Sequence, residues 1–191
     1  MNTTSTQKTK IMKDRYWVMK GNIEIEITDI TELDTDAIVN AANSQLLEGG
    51  GVCGAIFEKA GSAPLTEACS KIGHCSTGDA VITPGFDLKA KYIIHAVGPI
   101  WHGGDDGEEE LLYSAYQNSL ILAMENGCSS IGFPVISSGI YGYPKDEAWQ
   151  VALTACRDFL KDNPDYPISI TFAVLSQSSM NLGEEILSEI I

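Results

Sequence analysis

Residues 49–57 read GGGVCGAIF, three consecutive glycines and a cysteine at the entry to a helical pattern. Glycines let backbone N–H groups approach a ligand closely, and a helix N-terminus adds partial positive charge. A second loop, FPVISSGIYGYPKDEA at 133–148, has the same plan of apolar run, glycines and helix start. Two such loops can clamp two phosphates without a cation from the protein. Neither contains GxxxxGK[ST], and neither is read as a dinucleotide-dehydrogenase fingerprint.

The polar residues around these loops narrow the ligand. Asn40 and Asn43 flank two alanines at the end of an apolar strand. An amide offers donor and acceptor together, which suits sugar hydroxyls. Asn40 is assigned an Asx bond capping the turn, and Asn43, nearer the glycines, the ligand. Asp29 ends the strand IEIEITD and is either a helix N-cap or an acceptor for an exocyclic amine such as that of adenine. Tyr141, inside the second loop, can wall a sugar or base.

Cys53 is the only nucleophile in the first loop. A thiol with its ordinary pKa of ~8.5 is a poor general base, although a helix N-terminus can depress that value. His95 lies in a strand pattern and is expected in the core, while His102, in GPIWHGG, sits on a loop that could approach the site. Three scattered histidines and five cysteines without CxxC spacing imply no metal site. No cofactor is expected.

The elements that must hold these loops alternate between strand and helix. Strand candidates are YWVMK (16–20), IEIEITDI with Ile23, Ile25 and Ile27 alternating, the run ending at Asn40, GDAVITPGF, KYIIHAVGP, SIGFPVI and ISITFAVL. Helices are expected through GAIFEKAG, through SAPLTEACSKIG with Ser62 as N-cap, over about 108–126, over KDEAWQVALTACRDFLKD and over NLGEEILSEII. In the 108–126 helix, Leu111, Leu112, Ala115, Tyr116, Ser119, Leu120 and Ala123 form one face. Glu108, Glu109 and Glu110 suit its positive end, and Gly127 stops it. This alternation predicts one α/β domain, a mostly parallel sheet with helices on both faces, ligands binding beyond the carboxyl ends of the strands.

With 191 residues, 44% hydrophobic and 20% charged, the chain can build such a core. Its formal net charge of -14 makes nucleic acid an unlikely partner and disfavours an anionic membrane surface. Residues 1–15 are expected to be a flexible tail without a secretory signal, and the odd number of cysteines suits a reducing cytoplasm.

The combination IVNAAN, GGGV, CSTGDAVIT, KYIIHAVGP and VISSGIYGYP, in this order, resembles the macro domain family of the MacroD-like type, over about residues 16–185. The resemblance implies a three-layer α/β/α sandwich over 16–191 with a central mixed sheet, binding ADP-ribose or an ADP-ribosylated substrate, including ADP-ribosylated proteins. It implies Asp29 and Ile30 at the adenine, Asn43 at the distal ribose, and Gly50, Gly51, Val52 and Cys53 in the first phosphate and ribose loop. Ser137, Ser138, Gly139, Ile140, Tyr141 and Gly142 would form the second loop, with Tyr141 over the distal ribose.

Three positions depart from the family pattern GGGVDGAIH and its adenine-stacking aromatic. Cys53 stands for the aspartate, Phe57 for the histidine and Leu175 for the ring. The aspartate is the family's proposed water-orienting residue, so two readings remain. One is a substrate-assisted hydrolase of mono-ADP-ribosylated protein or O-acetyl-ADP-ribose, in which Asn43, the Gly51 amide and Tyr141 carry the catalytic positioning. The other is a reader that binds ADP-ribose without turnover.

Overall fold

The computed structural model describes residues 23–191. The expected tail and the strand candidate at 16–20 lie outside them. Six strands form one sheet: β1 (Ile23–Ile27), β2 (Ala37–Ala41), β3 (Ala80–Pro84), β4 (Tyr92–Ala96), β5 (Ser130–Phe133) and β6 (Ser169–Val174). Five α-helices accompany them: α1 (Gly51–Ala60), α2 (Ser62–Ile72), α3 (Glu108–Glu125), α4 (Lys145–Asp162) and α5 (Gln177–Ile190), with a 3-10 turn at Ile30–Glu32.

The strand order is β1-β6-β5-β2-β4-β3, parallel throughout except for the antiparallel edge pair β3–β4. Alternation along the strands feeds two cores. Val39 and Ile94 join the residues of α3, α4 and α5 on one face, while Ile38 and Ile93 join those of α1 and α2 on the other. The mixed sheet between two helical layers is the three-layer α/β/α fold expected from the sequence. Among the described residues no helix is long and apolar enough to cross a membrane.

Local corrections are few. Ser62 is the first residue of α2 and not its N-cap; Gly61 takes that place, and Ser62 Oγ donates to Glu48 Oε1 at 3.0 Å. Helix α5 starts four residues before the expected Asn181 because Ser176 caps it, accepting from the Ser179 amide at 3.2 Å. Ile23 and Ile25 are buried, but Ile27, where edge strand β1 runs out towards the loops, is 45% exposed. Leu111 is only half-buried on α3, whose other expected face residues are fully covered.

Candidate functional site

The parallel strands β1, β6, β5 and β2 end on one cavity of about 740 Å³. Three inter-strand steps separate β1 from β2, about 14 Å at ~4.8 Å each. The strand order therefore arranges the lining in sequence. Asp29, Ile30 and Leu175 stand at one end, Ser137–Tyr141 in the middle, and Asn43 with Gly98 at the other. Gly50, Gly51, Val52 and Cys53 complete the wall.

The first loop is built around Asn43. Its Oδ1 accepts from the Leu47 amide at 3.0 Å and its Nδ2 donates to the Leu47 carbonyl at 2.8 Å, while Leu46 is buried at φ 56. Gly50 is the N-cap of α1 and Gly51, at φ 58, its first residue, so the third glycine belongs to the helix. The amides of Gly51, Val52 and Cys53, in the first turn, have no intrahelical partner, and all three residues line the cavity. A Cβ on Gly54 would stand 2.6 Å from the Gly49 carbonyl oxygen, so loop and helix can touch only through glycine. Gly49, Gly51 and Gly54 share GxGxxG spacing. In a dinucleotide fingerprint the glycines follow the strand at once, whereas residues 42–48 intervene here and the sheet order differs from 3-2-1-4-5-6.

The roles of the two asparagines are the reverse of the expectation for local bonding. Asn43 makes the local turn, and Asn40 does not. Asn40 lies within β2 on the α1 side, 1% exposed, with Nδ2 3.1 Å from His95 Nδ1 and 3.7 Å from Cys53 Sγ. Asn43 nonetheless lines the cavity. His95 is a core residue as expected, fully buried, and burial pulls its pKa down to about 4.

The helix N-terminus does not activate Cys53. Burial pushes the thiol above its ordinary value, outweighing the Gly49 amide and the Asn40 side chain, which act to lower it, and Glu48 raises it further. Its Sγ donates to the Leu47 carbonyl at 3.8 Å. Phe57 is 1% exposed and packs in the α1–α2 core.

The second loop is strained at its start. Ser137 adopts φ 67, and its buried hydroxyl has no partner among the described residues. A Cβ on Gly98 would collide with that hydroxyl, so the chain leaving β4 must carry glycine there. Ser138 Oγ donates to the Val135 carbonyl at 2.7 Å, and the Tyr143 amide closes the turn on the Ser137 carbonyl at 3.0 Å. Ile140 projects 92% exposed at the tip. Gly142 does not line the cavity; at φ 72 its amide bonds the Gly139 carbonyl and turns the chain away. His102 is also absent from the lining, because its segment folds back on Glu108.

At the β1–β6 end, Asp29 takes the cap role and also lines the cavity. Its Oδ1 caps the 3-10 turn, accepting from the Thr31 amide at 2.9 Å and the Thr31 hydroxyl at 2.7 Å, and it also lines the cavity. The Thr31 hydroxyl, then its amide, lower the Asp29 pKa below the carboxylate range. Leu175, 80% exposed, forms the rim. Sequence reasoning missed Lys145, the one basic side chain in the lining among the described residues, and Ser176 and Ser179. For Ser176, adjacency to Leu175 was the available signal. Asp29 is the one carboxylate that lines the cavity among the described residues.

Known proteins share this fold. The chain matches the model of the Macro domain family over residues 39–152. It is 47% identical over 175 residues to an O-acetyl-ADP-ribose deacetylase of Cronobacter turicensis, covering 90% of this chain and 98% of that protein. The macrodomain of Oceanobacillus iheyensis with ADP is similar at TM-score 0.83 and 41% identity, over 88% of this chain and 90% of that one. A Trypanosoma brucei macrodomain in complex with ADP-ribose is similar at 0.82 and 37%, over 88% and 70%. The chain belongs to the macro domain family.

Proposed function

We propose that the cavity binds ADP-ribose and that the protein hydrolyses ADP-ribosyl derivatives, either O-acetyl-ADP-ribose or mono-ADP-ribosylated protein. One observation carries this reading: two glycine loops face a single cavity, with a carboxylate at one end, the Tyr141 loop in the middle and Asn43 at the other end. In this reading Asp29 and Ile30 take the adenine against Leu175, and the amides around Gly51 and Ser138–Ile140 take the diphosphate. Asn43 and Tyr141 take the distal ribose. The relatives' names fit the same ligand.

Turnover by this site would be substrate-assisted. The water and ribose are held by Asn43, the Gly51 amide and Tyr141, and a ligand phosphate oxygen accepts the proton. Positioning can supply up to ~7–11 kcal/mol of a barrier. Five free, buried cysteines fit a cytoplasmic place for the enzyme, with residues 16–191 as its domain. Titration calorimetry with ADP-ribose tests the binding, and no heat at millimolar ligand would refute it.

A second reading, a reader without turnover, is favoured by the neutral thiol at Cys53 and by the distance of Asp29 from the Asn43 end. Loss of label from an ADP-ribosylated protein, run beside acetate release from O-acetyl-ADP-ribose, separates the two. Turnover that disappears in Asn43→Ala excludes the reader.

A further inference from the structure

We propose that Cys53 is a positioning residue: its thiol ties the Asn43 clamp to the sheet through a buried relay that runs to Thr83. The proposal rests on the reading above that Asn43 faces the ligand.

The donors and acceptors of this relay run outwards from Asn40 along both arms. Asn40 Nδ2 carries two hydrogens; one reaches His95 Nδ1 at 3.1 Å and the other Cys53 Sγ at 3.7 Å. With Nδ1 accepting, the imidazole is the neutral tautomer protonated on Nε2. That nitrogen lies 2.9 Å from Thr83 Oγ1, whose own hydrogen goes to the Pro84 carbonyl at 3.2 Å. Because Cys53 Sγ already accepts from Asn40, its hydrogen is directed outwards, to the Leu47 carbonyl at 3.8 Å. The same carbonyl accepts from Asn43 Nδ2 at 2.8 Å, and the Leu47 amide returns a bond to Asn43 Oδ1 at 3.0 Å.

The strands fix the inner half of this chain. Asn40 and His95 are partners in the β2–β4 register and both project to the α1–α2 side. Thr83, Asn40 and His95 are at most 4% exposed, so water does not compete for their bonds. The outer half is a half-exposed loop, in which Leu47 is 54% exposed. Cys53, at 7%, is the joint between the two. A carboxylate at residue 53 could not make the bond to Leu47, because it has no hydrogen to give. A thiol here therefore trades a water-orienting group for a fixed Asn43.

The test is a double-mutant cycle read by ADP-ribose affinity, with amide hydrogen exchange of the free protein beside it. Cys53→Ala should weaken ADP-ribose about fivefold, the loss of one modest hydrogen bond. In an Asn43→Ala background the same substitution should change affinity by less than about twofold, since the group it positions is gone. Cys53→Ser, which keeps a donor, should recover part of the affinity. Without ligand, the Leu47 amide should exchange about fivefold faster in Cys53→Ala than in the wild type. Equal effects of Cys53→Ala in both backgrounds, or an unchanged Leu47 amide, would overturn the proposal. A wild type that fails to bind ADP-ribose would instead refute the functional reading, leaving the Leu47 exchange to decide the relay.

Discussion

The Glu108 carboxylate accepts the Gly104 amide at 2.8 Å, and with it the His102 amide at 2.9 Å and the Asp106 amide at 2.6 Å. Although Glu108 heads α3, its carboxylate organises the preceding segment. That segment begins at Trp101, whose amide donates to the Tyr141 carbonyl at 2.8 Å and whose ring lies 4.6 Å from that of Tyr143. Glu108 thereby braces the loop that carries Tyr141.

Glu108→Ala is expected to lower the thermal midpoint and to weaken ADP-ribose by about twofold to tenfold, since three amides lose their acceptor at once. Glu108→Gln, which retains one acceptor oxygen, should fall between. The amides, His102 first, hold the carboxyl down to about 2. Its contribution is therefore complete above the ordinary glutamate range and is lost as pH falls from there towards 2. Melting curves between pH 5 and about 2.5 check this, and a wild-type acid limb no steeper than that of Glu108→Ala would contradict it.

His95 acts in a higher window. Burial lowers its pKa from 6.5 to about 4. The unfolded chain takes up the proton near 6.5 while the folded state refuses it, so stability is full above 6.5 and declines as pH falls to about 4. The decline is ~1.4 kcal/mol per pH unit, about 3 kcal/mol across the window. Urea midpoints at pH 7.5, 6 and 4.5 should show it. In a folded His95→Gln variant the part of the slope between 6.5 and 4 should be absent.

Asp29 has one oxygen left for a ligand. Both Thr31 bonds fall on Oδ1, and Oδ2 has no partner among the described residues. If Oδ2 accepts the adenine amine, the wild type should prefer ADP-ribose over its hypoxanthine analogue, which lacks that amine, by about tenfold. Asp29→Ala should erase the preference and also cost about 1 kcal/mol as a lost cap. Equal affinities of the wild type for the two ligands would remove Asp29 from the adenine site.

The parts of this molecule legible in sequence are those governed by neighbours along the chain. The limits of α4 follow from Pro144, its first-turn acids and the 3.6 period, and they match Lys145–Asp162. The two glycine loops and Asp29 were visible because backbone freedom and strand ends are local properties. The bonding of Asn40 is not legible in sequence because its partners, His95 and Cys53, are set by strand register and helix packing across 55 and 13 residues. In the sequence Glu108 is only a charge at a helix end, since nothing in EEE tells which carboxylate turns back. Lys145 and Ser179 reach the cavity only because α4 and α5 begin on the same side of the sheet.

The glycine loop can be tested without confusing strain with exclusion. A Cβ at Gly50 or Gly51 meets nothing within 4 Å, but Gly51 has φ 58 and Gly50 does not have a positive φ. Gly51→Glu is expected to abolish ADP-ribose binding and to lose about 1–2 kcal/mol of stability from the left-handed backbone. Gly50→Glu should weaken binding through its charge in the phosphate path with the thermal midpoint little changed. Wild-type affinity in folded Gly51→Glu would remove this loop from the ligand.

Cys53→Asp restores the residue that stands at this position in the GGGVDGAIH pattern, and the surroundings predict its effect. The new carboxylate would gain the Asn40 Nδ2 donor now 3.7 Å from Sγ, but it would face the Leu47 carbonyl, which now lies 3.8 Å from Sγ, acceptor against acceptor. Leu47 is the residue that Asn43 grips, so the substitution supplies a base and loosens the amide that holds the ribose. If a ligand phosphate already accepts the proton, the base adds little and the loosening is felt. Acetate release from O-acetyl-ADP-ribose should then be equal to or slower than that of the wild type, with the larger change in KM. A gain in kcat of about a hundredfold or more, the low end of what general base catalysis contributes, would show that the missing carboxylate limits the rate.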